Sequence, residues 1–224
     1  RPILRGRDIK RYGYDFADLW LLFIPWHFPL QNDPLIKGAS EKAEEEFKRQ
    51  YPAIYNHLFH YKKQLSARNK TETGIGYEWY ALQRWGANYW DDFYKQKIVY
   101  NDINQRLSFA LVEPGIFFNN TVYFISENSH MNYLLSCLNS KVINWFYKTL
   151  SVQLGEKAVR MFSIYMKNIP IPIPTLSLEK KIGELVDLRI CKENDHSFLE
   201  NEIDKNMYQL FTLTPEEIDF IEKQ

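Results

Sequence analysis

The chain has 224 residues, with 28 basic and 28 acidic side chains, a net charge of zero and a pI near 7.1. Taken whole, that balance argues against a strongly electrostatic nucleic-acid binder, whose pI usually exceeds about 9. With 45% hydrophobic and 25% charged residues, the composition is that of a globular protein large enough for one or two cored domains, not of a disordered tail.

Residues 19–24 are an apolar run that predicts a buried strand stopped by Pro25. Residues 40–50 predict a helix with Ser40 as N-cap and acids in the first turn, where they complement the helix dipole. Pro52 fits the first turn of a second helix over 52–68, with Ile54, Leu58, Tyr61 and Leu65 on one face. Strands are expected over 97–100, 107–112 and 119–125, the last two separated by the turn signal Glu113-Pro-Gly115. Asn128 or Ser129 then caps a helix to about Leu150, with Leu134, Leu135, Leu138, Val142, Trp145 and Phe146 on one face. Two more helical patterns follow, through Leu178, Ile182 and Leu185 and then through Leu199, Ile203, Met207 and Leu210. Thr214-Pro-Glu-Glu217 carries a capping-box signature for a last helix.

The zero net charge hides a split. Residues 1–175 carry 22 cations against 16 anions, and residues 176–224 carry 6 against 12. The sign changes beside Ile169-Pro-Ile-Pro-Ile-Pro174, whose alternating prolines fix an extended rod that neither helix nor central strand continues. The fold class expected is α+β: a mixed domain over 1–174, then a helical unit over 175–224. Cys137 and Cys191 make no disulfide framework. Neither a signal segment nor an apolar run of about 18 residues is visible, so a cytoplasmic protein with no membrane span is expected. The chain opens on Arg1 rather than Met, and the expectation is a segment of something longer.

Catalytic patterns are poor. Gly74-Ile-Gly76 lacks the preceding strand and the spacing of a cofactor loop. Asp8-Ile-Lys10 lies too near the N-terminus to have the upstream acid of a metal-dependent nuclease, and the adjacent Asp91 and Asp92 would point to opposite faces of a strand. His57 and His60 share a helix face without an obvious third metal ligand. The reading is that this segment contains no catalytic motif.

Binding signals are stronger. Five cations fall within residues 1–11, with Gly6 allowing close backbone approach. Lys62, Lys63, Arg68 and Lys70 gather at the end of the second helix, where they either cap the helix dipole or contact phosphates. Aromatic residues from Tyr77 to Tyr94 interleave with Arg84, Lys95 and Lys97, a mixture suited to base and sugar contact as well as to a core. Gly155 to Arg160 forms a polar loop after a helix, with two cations.

An ordered set of short motifs ties these pieces together. They are residues 2–12 (Pro-Ile-Leu-Arg-Gly-Arg-Asp-Ile-Lys-Arg-Tyr), Tyr51-Pro-Ala-Ile-Tyr55 with Leu58, Leu65 with Arg68, and Trp79-Tyr80 with Leu82. Lys97-Ile-Val99, residues 117–125, Leu138-Asn-Ser-Lys141, and Gly155 with Arg160 before Ile169-Pro-Ile-Pro172 follow. In this order they resemble the TaqI-like C-terminal specificity domain of restriction-modification enzymes, over nearly the whole chain. The tail, Glu202-Ile-Asp204 and Tyr208 to Ile218, is similar to the closing helices of type IIG enzymes, departing at Phe211.

The resemblance implies a target recognition domain working with an adenine-specific DNA methyltransferase, and often a nuclease, upstream in the same chain. It also implies double-stranded DNA as partner, no cofactor in this segment, and S-adenosylmethionine and Mg for the parent enzyme. Residues 175–224 would then be a helical spacer. A type I-like specificity subunit is the alternative, and a stand-alone hydrolase using Asp91, Asp92 and the histidines a remoter one. Expected DNA contacts are Arg5, Arg7, Lys10, Arg11, Arg68, Arg84, Arg106, Lys157 and Arg160. Arg7, Lys10 and Arg160 follow from the motifs, and the others from local charge.

Overall fold

In the computed structural model, residues 1–68, 76–126, 129–155, 158–191 and 195–224 are described. They form a mixed α+β fold in two units, one of Arg1 and Leu21–Trp90, the other of Pro2–Trp20 and Asp91–Gln224.

The larger unit begins with short strands: β1 (Ile3–Leu4), β2 (Ile9–Lys10) and β3 (Gly13–Tyr14). Its main sheet places β4 (Lys97–Asn101) between two antiparallel neighbours, β6 (Phe109–Val112) and β8 (Val122–Ser126). β5 (Ile103–Asn104) and β7 (Phe117–Phe118) lie on the connections between these strands. Successive side chains of a strand point to opposite faces. Ile98, Tyr100 and Phe109 face a core with Leu135 and Leu138 of α4 (Met131–Asn139) and Ile143 and Tyr147 of α5 (Lys141–Leu150). Ile182 and Val186 of α7 (Leu176–Ile190) and Ile203 and Met207 of α8 (His196–Leu210) complete it. Val99, Ala110, Val112 and Val122 face the other way, onto Leu4 and Ile9. Fully burying an aliphatic side chain contributes about 1.5–3 kcal/mol, so β4, paired on both edges and covered on both faces, is firmly held. Lys97 opens it completely buried. Its Nζ donates to the Phe93 and Lys95 carbonyls at 2.8 Å each, and burial pulls its pKa down to about 8.

Two helices form where one was expected over 129–150. Ser140 interrupts: its hydroxyl accepts from the Ile143 N–H at 3.2 Å as the N-cap of α5, and Asp204 accepts from the Lys141 N–H at 2.9 Å. Polar groups that satisfy a helix start at this point favour the turn over a continuous helix. Of the two expected caps, Asn128 lies outside the described residues, and α4 is instead preceded by His130. After α5, β9 (Gln153–Leu154), β10 (Ala158–Arg160) and the single turn α6 (Ser163–Met166) lead to the proline segment 169–174, which is extended. Thr175 caps α7, Asp195 caps α8, and the expected Thr214–Glu217 capping box starts α9 (Pro215–Glu222). All three helices belong to the larger unit, α7 packing on α4 and α9 on α5.

The smaller unit comprises α1 (Glu41–Gln50), α2 (Pro52–Phe59), α3 (Lys62–Ser66) and long connecting coil around an aromatic core. Phe47 and Tyr80 meet at 4.5 Å between ring centres, and Trp26 stacks on Tyr77. Two carboxylates collect the polar atoms such a core strands. Glu44 accepts from Trp79 Nε1, the Tyr55 hydroxyl and Lys62 Nζ, and buried Glu78 accepts from the His27 and Ser40 N–H groups. The helix expected over 52–68 breaks at His60 and Tyr61, where His60 Nδ1 meets the Asn56 carbonyl at 2.7 Å, and Tyr61 is half exposed. Residues 19–24 form no strand. Left-handed Asp18 and His27 bracket the run, and its only ladder contact among the described residues is the isolated bridge between Pro2 and Trp20.

Candidate nucleic-acid interface

The basic N-terminal strip is fixed to the larger unit by two apolar anchors. Leu4 and Ile9 are buried against the sheet, β1 runs parallel to β7 with Leu4 opposite Phe118, and β2 pairs with β3. Between the anchors, a 3-10 turn over Gly6–Asp8 carries the chain past Thr121, 115 positions away in sequence. Glycine is needed at that approach. A Cβ on Gly6 would stand 3.0 Å from Thr121 Oγ1 and 3.2 Å from its carbonyl, whereas the Gly6 N–H donates to Oγ1.

A groove of about 420 Å3 lies between this turn and two loops, 101–103 and 119–121. The loops are tied to each other by the Asp102 N–H on the Thr121 carbonyl at 3.0 Å. Within them, Asn101 Oδ1 accepts from the Ile103 N–H at 2.7 Å, and Asn119 Oδ1 accepts from the Thr121 N–H at 3.2 Å and its hydroxyl at 2.6 Å. From the next strand pair, β10 sets Arg160 opposite Ile103 of β5. Its Nη1 reaches Asp102 Oδ2 at 3.1 Å, and its guanidinium lies over the Phe162 ring.

The expected contact residues divide according to their partners. Arg5 and Arg7 line the groove and Arg160 joins it through Asp102. Arg5 grips buried Asp8 with two hydrogen bonds, which hold the Asp8 carboxyl below its ordinary range. Arg7 is exposed and makes no ion pair among the described residues. Lys10 is exposed beside it, its Nζ on the Arg7 carbonyl at 3.1 Å and 3.9 Å from Asp15.

Arg11 turns inward. It meets Glu200 at 2.6 Å and the Asn139 carbonyl at 2.6 Å, while Arg189 takes the other Glu200 oxygen at 2.6 Å. Arg11 and Arg189 both lie over Tyr12, a buried residue held in the left-handed region at φ 64° by its N–H on the Phe109 carbonyl. This cluster fastens the strip to α7 and α8 and leaves Arg11 scaffolding work. Arg106 stands in the field of the same cluster, and partial burial followed by the Arg11 charge lowers its pKa. Arg68 and Arg84 belong to the smaller unit. Arg68 donates to the Leu65, Trp79 and Ala81 carbonyls, closing that fold, and Arg84 is on the surface. Lys157 lies outside the described residues, as do Lys70 and Gly74.

Half of the interleaved aromatic stretch is core: Tyr77, Trp79, Tyr80 and Phe93 are buried, whereas Tyr89, Trp90 and Tyr94 are exposed. Asp92 pairs with Lys95 at 2.9 Å, and His57 packs near Tyr61. Among the described residues, no three His, Cys, Asp or Glu side chains gather to hold a metal. No helix there is long and apolar enough to cross a membrane.

Sequence reasoning missed the polar side of the groove, Asn101, Asp102, Asn119 and Thr121. The local signal, Asn, Asp and Thr clustered at strand ends, reads only as turns. Their proximity to the cations depends on the parallel β1–β7 pairing. Comparison with curated proteins gives no match. A family model, the TaqI-like C-terminal specificity domain, matches residues 1–171, a span that contains the strip, both groove loops and β10. The chain therefore belongs to the TaqI-like C-terminal specificity domain family, the DNA sequence-specificity domains of restriction-modification enzymes.

Proposed function

We infer that the chain reads the DNA target for a type IIG restriction-modification enzyme, positioning methyltransferase and nuclease parts of the same polypeptide. The observation that carries this reading is a groove lined by Arg5 and Arg7 inside the family-matched span, with Lys10 on the Arg7 carbonyl and Arg160 on Asp102 beside it. Cations at a groove rim fix register on phosphates, and polar side chains within it meet base edges, which the major groove presents as distinguishable donor and acceptor patterns. Binding at such a surface offsets the few kcal/mol of unstacking needed when a distant methyltransferase extrudes its adenine. S-adenosylmethionine and Mg are assigned to those other parts, as the family resemblance implies. In this reading residues 1–174 contact DNA and 175–224 serve as a helical spacer. The antiparallel packing of α7 on α8 also supports the alternative, a type I-like specificity subunit. An Asn-Pro-Pro-Tyr motif upstream in the same gene would decide for the type IIG arrangement.

The direct test is duplex binding against salt. Each neutralised phosphate releases counterions, so the two exposed cations Arg7 and Lys10 give a log–log slope of about −2, and Lys10→Glu should make it shallower by about one or more. A slope near zero would remove the groove as a DNA surface.

A further inference from the structure

We propose that the groove is a base-reading subsite in which Arg7 and the amide groups of Asn101 and Asn119 present hydrogen-bond donors to a guanine. This rests on the DNA-reading function above and adds which residues choose the base, and which base they choose.

Three observations carry it. First, the two asparagines are fixed in orientation. Each Oδ1 is occupied by a backbone N–H of its own loop, Ile103 for Asn101 and Thr121 for Asn119. What each side chain has left to offer is its Nδ2 donor, which makes no hydrogen bond among the described residues. An amide whose oxygen is already engaged loses little freedom on binding.

Second, the charges around the groove cancel in pairs except at one residue. Arg5 is matched by Asp8 at 2.8 Å and Asp102 by Arg160 at 3.1 Å, while Arg7 makes no ion pair among the described residues. The groove therefore offers a guanidinium fork and two amide donors, with its nearest carboxylate neutralised. Guanine is the base whose major-groove edge carries two acceptors and no donor, and a guanidinium meets both together. Cytosine presents a donor there instead and is selected against.

Third, the parts are held in one frame. The Gly6 N–H sits on Thr121 Oγ1, whose hydroxyl donates to Asn119 Oδ1, so the residue preceding Arg7 is linked to Asn119 by two hydrogen bonds. The Asp102 N–H on the Thr121 carbonyl joins the Asn101 loop to the same point. Recognition groups linked in this way keep one spacing, as base discrimination requires.

The experiment is selection of bound duplexes from a random-sequence pool by the whole chain, repeated with Arg7→Gln, Asn101→Asp, Asn119→Asp and Lys10→Gln. Arg7 is exposed, so Arg7→Gln disturbs no packing, and the Asp variants retain the Oδ1 acceptor that shapes each loop. The expected wild-type motif contains a guanine. Its preference over other bases falls by about fivefold or more in Arg7→Gln, as expected for loss of a bidentate contact. In at least one Asp variant, preference at that or the adjoining position moves toward bases bearing a donor. Lys10→Gln weakens all sequences alike and leaves the motif unchanged. If the wild type selects a motif that Arg7→Gln and both Asp variants reproduce, the subsite assignment is wrong while the DNA-reading function stands. If the wild type selects no motif, both fail.

Discussion

Replacing Asp204 with asparagine should make the protein more stable at neutral pH. Asp204 sits on α8, 2% exposed; Oδ1 accepts from the Lys141 N–H, and Oδ2 is buried with no hydrogen-bond partner among the described residues. Burial raises its pKa from 3.8 to about 6, against the lowering effects of the Lys141 N–H and the Arg11 and Lys141 charges, with Glu222 adding to the rise. Between those two values the folded chain holds a proton that the unfolded chain has released, so stability falls as pH rises through the window. A gap of about two pKa units is worth about 3 kcal/mol, absent below the lower value and fully expressed above the upper one. Asp204→Asn keeps an acceptor for α5 and removes the charge, but buries an NH2 group that costs about 1 kcal/mol if unpaired. The net expectation at about pH 7.5 is a gain of about 2 kcal/mol, or roughly 4–8 °C in Tm for a chain of this size. Urea unfolding at about pH 7.5 and about pH 4 measures both limits, and the advantage should vanish at the lower pH. Asp204→Ala, which strands the Lys141 N–H, should be less stable than wild type at low pH. Equal stability of Asp204→Asn and wild type at neutral pH, or a gain of the same size at both, would refute the reasoning.

Glu200→Gln should destabilise by about 3 kcal/mol in thermal melts, because it leaves Arg11 and Arg189, both largely buried, without their shared counter-charge. Arg11→Ala should likewise lower Tm while leaving the salt slope of DNA binding unchanged, separating scaffold from contact residue. Gly6→Ala should cost about 1–3 kcal/mol through the clash with Thr121, together with a loss of DNA affinity visible in anisotropy titrations. Lys97 carries a folded pKa of about 8 against an ordinary 10.5, so the unfolded chain binds the extra proton between them and stability rises with pH across that window. In Lys97→Met, denaturant titrations between these values should show that rise gone.

Legibility from sequence followed the range of the forces involved. Ser40, Thr175 and the Thr214–Glu217 box could be read because a cap satisfies donors within three residues of itself. The breaks at Ser140 and at His60–Tyr61 could not. The helical pattern continues through both, and at Ser140 the chain turns where Asp204, 63 positions from Lys141, supplies an acceptor to the Lys141 N–H. For the strip, sequence gave the cations but not their partners. Arg7 and Arg11 look equivalent in a run of five positive charges, yet one is exposed at a groove and the other is sealed against Glu200.

By itself, then, the sequence determined the α+β class, the +6 and −6 division of charge, the caps, and the ordered motifs that resemble the specificity family. Each depends on composition or on neighbours a few residues apart. Tertiary structure alone decided which cations reach solvent, and that Asn101 and Asn119 stand beside Arg7. The physical reason is that a guanidinium is spent on whichever carboxylate or carbonyl the fold brings to it. For Arg11 and Arg160 that partner, Glu200 or Asp102, is brought in by strand pairings and helix packing from far along the chain, a distance over which local chemistry carries no signal.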